Sequence, residues 1–303
     1  MQATMLGTSA AVPTVDRNVA ALMLQREGEL MLLDCGEGTQ RQLMRYAAGF
    51  AINEIFVTHF HADHILGIPG LLRTMGLQGR TAPLTLYGPR GAARQFGSLV
   101  TLGLERSKFP VEIIELKPGA VIARAEYDIV TAEARHKGDC LAYALVEHLR
   151  LGRFDPERAR LLGIPEGPLW GRIHRGEPVT LADGRVVAPS ELVGQPRVGR
   201  RAVYTGDTAP CQPVAELARD ADLLIHEATF GEDERERARE TGHSTARDAA
   251  TLAREAGVRR LVLTHISARY TREAPELLAE AREVFPATEV GRDGMVIDVP
   301  FRE

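Results

Sequence analysis

Short apolar runs separated by Gly, Pro and polar turns recur along this chain, and several end in a polar residue. Residues 2–6, 19–25, 30–33 and 53–58 read as strands, because brief apolar runs bounded by turn formers suit buried strands better than helices. Strands continue at 83–87 and 111–116, with a strand pair at 120–135 and 140–147. Helices are predicted at 39–48, capped by Thr39, and at 89–104. From about residue 200 strand and helix alternate: strands at 201–205, 223–225, 260–264, 287–290 and 295–299, and helices at 210–219, after Thr245 and at 272–284. Thr245 and Asp248 fit a capping box, Ala249, Leu252, Ala253 and Ala256 follow at helical spacing, and Gly257 stops the helix. Residues 231–241 are charge-dense and read as a solvated loop or helix face. The class is α/β.

Residues 148–200 break the rhythm. They are rich in Gly, Pro and Arg, lack a long apolar run, and carry nine arginines against six acidic residues. The expected organisation is one domain in two halves, 1–147 and 201–303, with 148–200 as an inserted arm. A positive insertion in an acidic body is a docking surface for a polyanion or, on composition alone, a solvated linker or lid. Trp170, the only tryptophan, stacks on a base or packs into a small core of the arm.

The net charge of −4 weighs against nucleic-acid binding over the whole surface and leaves room for a local basic patch. Cys35, Cys140 and Cys211 are odd in number and far apart, which fits a reducing cytoplasm. Residues 1–10 read as a strand, not a signal peptide, and no apolar run is long enough to span a membrane.

The chemistry concentrates in Thr58-His59-Phe60-His61-Ala62-Asp63-His64, where a strand turns into a helix. In extended chain His59 and His61 point to one side, and nitrogen and oxygen donors this dense suit zinc or a similar divalent ion. Asp34, Asp207, Glu227 and His265 also sit at or just past predicted strand ends, the edge at which open α/β sheets bind ligands. Asp34 is a turn former or a partner holding a metal-bound histidine. His136, alone in a turn, reads by itself as a solvated residue, but the site still needs donors. His59, His61 and His136 would serve one ion, Asp63, His64 and His265 a second, and Asp207 would bridge them, with room for a shared hydroxide as nucleophile. Asp63 would act as base. His243 is either a plain helix-start residue or, oriented by Glu227, the acid that protonates the leaving oxygen.

The cluster is the HxHxDH signature of the metallo-β-lactamase superfamily, and the whole set resembles its ribonuclease Z family. The resemblance rests on Leu6-Gly7-Thr8, Asp34-Cys35-Gly36-Glu37-Gly38, His59–His64, His136, Tyr204-Thr205-Gly206-Asp207-Thr208, His226-Glu227-Ala228-Thr229-Phe230, Gly242-His243-Ser244-Thr245 and Thr264-His265. It implies a four-layer αβ/βα sandwich, two zinc ions per subunit (manganese or iron being compatible) and a homodimer in which one subunit's flexible arm serves the other's site. It implies cleavage of precursor tRNA after the discriminator nucleotide, leaving a 3′-hydroxyl. Gly163, Gly167 and Pro168 resemble the part of the arm that grips the tRNA elbow. Pro13, Arg17 and Asn18 resemble the family's PxKxRN loop, associated with reading the tRNA 3′ end, but Val15 stands where lysine is usual. That departure implies weaker rejection of CCA-bearing precursors.

Two other readings compete. A small-molecule hydrolase, phosphodiesterase or arylsulfatase-like, shares the site chemistry but has no evident use for the arm. An RNA-binding scaffold with a decayed site would have lost donors, and all seven are present.

Overall fold

Alternation within the strands decides which side chains meet which layer. In Ala21–Arg26, Leu22 and Leu24 face one way and Ala21 and Met23 the other. Met31 and Leu33 oppose Leu32 in Glu29–Leu33, and Phe56 opposes Ile55 in Ile52–Phe56. The computed structural model describes residues 1–102, 107–270 and 272–302.

The first of two seven-stranded sheets has the order Val296–Asp298, Gln2–Gly7, Ala21–Arg26, Glu29–Leu33, Ile52–Phe56, Leu84–Gly88, Val111–Glu115. The second runs Thr288–Val290, Leu261–Thr264, Leu223–Glu227, Arg201–Tyr204, Leu141–Glu147, Tyr127–Glu133, Val121–Ala123. Leu22, Leu24, Leu33 and Phe56 of one sheet pack with Ile129, Tyr143, Tyr204 and Ile225 of the other, making the central core. Helices Gly67–Leu77 and Ala92–Thr101 cover the outer face of the first sheet. Helices Gln212–Leu217, Ala246–Glu255 and Pro275–Val284 cover the second. The result is the expected αβ/βα sandwich.

In each sheet four consecutive strands pair in parallel, from Glu29–Leu33 to Val111–Glu115 and from Arg201–Tyr204 to Thr288–Val290. Their C-terminal ends therefore share one edge per sheet. The segments carrying Asp34, His59, Asp207, Thr229 and His265 leave from those edges.

Several elements differ from the expectation. The strand expected over 53–58 closes at Phe56, which frees Val57 and Thr58 for the approach to the cluster. Residues 120–135 form a hairpin, Val121–Ala123 and Tyr127–Glu133. Helix 89–104 spans Ala92–Thr101, residues 103 and 104 lying outside the described residues, and helix 272–284 starts at Pro275. The charge-dense 231–241 stretch agrees with its reading as a solvated loop or helix face: it is a 3-10 turn, Glu232–Glu234, and a helix, Arg235–Thr241, on which Glu236, Arg237, Arg239 and Glu240 are exposed. Gly38, in the left-handed region, occupies the cap position expected of Thr39, whose hydroxyl instead donates to the Gly36 carbonyl.

Residues 147–199, with 301 and 302, form a separate unit. It has a core of its own despite lacking a long apolar run: Ala159, Ile164, Ile173, Val179, Val187 and Leu192 are buried together. Trp170 packs against this cluster, and its indole N–H donates to the Ile164 carbonyl at 3.1 Å. Gly163 and Gly167 take positive φ, and Pro168 starts helix Pro168–His174, so these three shape the turn between two short helices. Among the described residues no helix is long and apolar enough to cross a membrane.

Candidate metal centre and active site

Strand ends deliver the donors in two groups. Donor atoms of His59, His61, His136 and Asp207 lie within 4.8 Å of one another, and so do those of Asp63, His64 and His265. Asp207 adjoins both groups: its carboxylate is 3.6 Å from His59 Nε2, 3.4 Å from His64 Nε2 and 3.3 Å from His265 Nε2. Gly206 makes this approach possible. It holds φ +57°, and a Cβ there would fall 2.6 Å from Thr58 Cβ.

Oxygen partners fix how the imidazoles point. Asp34 is fully buried and accepts from the Thr58 amide at 2.8 Å, from Tyr204 Oη at 2.9 Å and from His64 Nδ1 at 2.7 Å. It is therefore the partner of a cluster histidine, not a simple turn former. The Thr58 hydroxyl donates its one proton to Asp34, so its contact with His59 Nδ1 at 3.0 Å makes that ring nitrogen the donor. His136 Nδ1 donates to the Gly242 carbonyl at 2.8 Å. The Thr229 hydroxyl donates to Glu227 at 2.8 Å and accepts from His265 Nδ1 at 2.9 Å. His59, His64, His136 and His265 thus each anchor Nδ1 and turn Nε2 inward.

Those inward nitrogens crowd together. His59 Nε2 lies 3.0 Å from His61 Nδ1, and His136 Nε2 lies 3.3 Å from the same atom. His64 Nε2 and Asp207 Oδ1 are buried with no hydrogen-bond partner. Ring nitrogens and carboxylate oxygens grouped this closely, two of them buried without a partner, fit a divalent metal. The electrostatics agree. Burial, then the His64 charge, holds His59 well below the usual imidazole range, and burial lowers His61 and His136. All three favour the neutral, ligating form. Burial alone would lower His64 too, but Asp207 and Asp34 hold it well above the usual range. Two carboxylates there demand positive charge. Asp207 and Asp63 stay ionised although burial opposes it, because His265 and His64 outweigh that cost.

His243 stands beside the donors, its ring 4.7 Å from His136 and 5.4 Å from His265. Its Nδ1 is 2.7 Å from Glu227 Oε1. Glu227 is fully buried and also accepts from the amides of Thr208 at 3.0 Å and Thr229 at 3.1 Å. Burial lowers the His243 pKa, but the Glu227 carboxylate overcomes this and pushes it up to about 9. A histidine held protonated near neutral pH with Nε2 free is a proton donor. A donor atom of His243 also lies within 4.8 Å of donor atoms of Asp207 and His265, so ligation is geometrically open to it.

The first loop meets the site at Asp63, whose Oδ2 accepts from the Ala11 amide at 3.0 Å. Arg17 is buried, and its guanidinium donates to Thr8 Oγ1, to the Gly291 carbonyl at 2.6 Å and to the Arg272 carbonyl. Asn18 donates its side-chain amide to the Glu37 carbonyl at 2.9 Å, and its backbone amide donates to Asp293 at 2.6 Å. Both residues hold the loop in place, whereas Val15 is fully exposed at its tip. Sequence reasoning did not single out Thr58 or Thr229, although each lies inside one of the motifs named above.

Helix, sheet, sheet and helix layers with this donor set at the strand ends define a metallo-β-lactamase-type protein. Residues 178–266 match the family model described as beta-lactamase superfamily domain, and residues 1–111 match that of anti-Pycsar protein Apyc1. The ribonuclease Z of Gemmatimonas aurantiaca is 59% identical, over 98% of this chain and 96% of its own length. That of Myxococcus xanthus is 53% identical over 100% and 99%. The crystal structure of human tRNase Z, short form, superposes with a TM-score of 0.73 at 29% identity, covering 99% of this chain and all of that one. The chain belongs to the ribonuclease Z family, which makes it an endoribonuclease.

Proposed function

We propose that the protein removes the 3′ trailer of precursor tRNA by hydrolysing the phosphodiester just after the discriminator nucleotide. The observation that carries this reading is the converging set of imidazole nitrogens and orphaned carboxylate oxygen, in a chain alike to ribonuclease Z from end to end. His59, His61 and His136 would hold one divalent ion and Asp63, His64 and His265 a second, with Asp207 between them. Zinc suits this set best, and manganese and iron are compatible with it. Bound there, such ions offset charge building on phosphorus and make water acidic enough to react at neutral pH.

The chain's own groups do the rest. Asp63, kept ionised, accepts a hydrogen bond from the attacking water and takes its proton. As the water oxygen bonds to phosphorus, the P–O3′ bond breaks and O3′ takes a proton from His243. The tRNA leaves with a 3′-hydroxyl and the trailer with a 5′-phosphate. Glu227 keeps His243 charged and aims its Nε2. The arm docks the tRNA elbow: Arg153 and Arg158 line a groove of about 1040 Å3 there and have no ion-pair partner among the described residues. Gly163, Gly167 and Pro168 shape the docking turn. The working form is a cytoplasmic homodimer.

The test is cleavage of a precursor tRNA mapped at nucleotide resolution, beside a chelator control and His64→Ala. Cleavage after the discriminator, lost in both controls, supports the reading. Hydrolysis of a small phosphodiester without any cut in the tRNA would move it to a small-molecule enzyme.

A further inference from the structure

A cleft of about 580 Å3 opens beside the donors, with His136 and His243 in its wall. Arg135 and Lys137, on the turn after strand Tyr127–Glu133, contribute one side, and Arg239, on helix Arg235–Thr241, contributes another. Arg135, Lys137 and Arg239 are exposed, and none has a side-chain ion-pair or hydrogen-bond partner among the described residues. Arg235, also in the lining, differs: Glu232 at 2.5 Å and Asp248 at 3.2 Å neutralise it. Glu240 is the remaining acid among the described lining residues. Three free cations therefore face a cleft adjoining a site rich in carboxylates, in a chain of net charge −4. Such an exception to the overall charge is the footprint of a bound polyanion strand.

We propose that this cleft binds the backbone phosphate on the 5′ side of the last retained nucleotide, and so holds the tRNA strand and not the trailer. The assignment rests on the proposed role of His243. The atom it protonates is O3′ of the last retained nucleotide, so that nucleotide lies against His243. The next phosphate upstream then falls in the space that His243 shares with Arg135, Lys137 and Arg239. The first loop meets the site elsewhere, at Asp63. Arginine suits this task because its planar fork pairs with phosphate through two hydrogen bonds.

The experiment uses the full-length, metal-loaded enzyme and precursor tRNAs with one uncharged methylphosphonate linkage. That linkage is placed either 5′ to the last retained nucleotide or one linkage 3′ of the scissile bond. Each substrate is given to the wild type, to Arg135→Gln/Arg239→Gln and to Arg239→Lys. For the wild type the upstream substitution is expected to raise KM about tenfold. In the double variant the unmodified substrate already shows that rise, and the upstream substitution adds little, while Arg239→Lys keeps most of the sensitivity. The downstream substitution acts independently of the variants. The salt slope of log kcat/KM falls by about one for each phosphate that is no longer neutralised. Coupling to the downstream linkage would overturn the proposal by assigning the cleft to the trailer, and coupling to neither would remove RNA from it. If the wild type fails to cut the unmodified precursor, the proposed function fails first and takes this inference with it.

Discussion

Glu227 Oε1 lies 2.7 Å from His243 Nδ1, and the same carboxylate accepts, through its other oxygen, from the hydroxyl that positions His265. One buried charge thus sets both the protonation of the proposed acid and the orientation of a proposed ligand.

Separating those roles needs two variants. His243→Ala should lower kcat by about 10²–10⁴-fold while leaving the metal content of the purified protein at the wild-type value. Loss of one equivalent of metal would instead make His243 a ligand. Glu227→Gln should move the alkaline limb of the pH–rate profile to lower pH. The carboxylate raises the His243 pKa, activity needs the protonated imidazole, and activity is lost as pH rises through that pKa. An unmoved limb would exclude His243 as the titrating acid.

Asp34 is the carboxylate that holds Nδ1 of His64, and it also ties Thr58 and Tyr204 to the cluster. Asp34→Ala should weaken metal binding by about 10–100-fold, measured by competition with a chelator. It also leaves buried donors unpaired, so the apo form should lose about 3 kcal/mol of stability in a denaturant titration.

Chelation should lower the melting temperature in a dose-dependent way. Metal binds the donor groups only where folding has brought them together, so binding and folding are linked. At a free metal concentration of about 100 Kd the linked stabilisation is about 2.7 kcal/mol. An identical melting curve with and without chelator would contradict the fit of this donor set.

Val15 is fully exposed at the tip of a loop whose neighbours Arg17 and Asn18 are fastened down. Val15→Lys should therefore leave stability within about 0.5 kcal/mol of wild type. It should increase discrimination against precursors with an encoded CCA, read as the ratio of kcat/KM for matched substrates. An unchanged ratio would sever the loop tip from that discrimination.

The donors were legible because each sits in a local pattern, a short apolar run followed by His, Asp or Glu, and parallel pairing carries such run ends to one edge. What fixes the donors was less legible. Thr58, Thr229 and the Gly242 carbonyl act through contacts set by folding, and a threonine or a backbone oxygen carries no mark of that use in sequence. For Arg17 the resemblance pointed to the loop's association with the tRNA 3′ end but gave no sign that three backbone or hydroxyl oxygens claim its guanidinium. The 231–241 stretch is solvated, as its charge suggested, but that charge gave no sign that Arg235 pairs with Glu232 and Asp248 or that the helix lines a cleft with His243. The arm's core escaped notice because its apolar residues are scattered, with no run to betray it.

Asp63 and His265 meet at 3.3 Å although 202 positions separate them in the chain. A ribosome making this protein must therefore finish nearly all of it before the second donor group can close. Until then the nascent polypeptide carries an incomplete centre, with His59, His61, His136 and Asp207 present but the second group lacking His265. The order of synthesis thus delays assembly of the second donor group, and a product truncated before residue 265 lacks one of its three members.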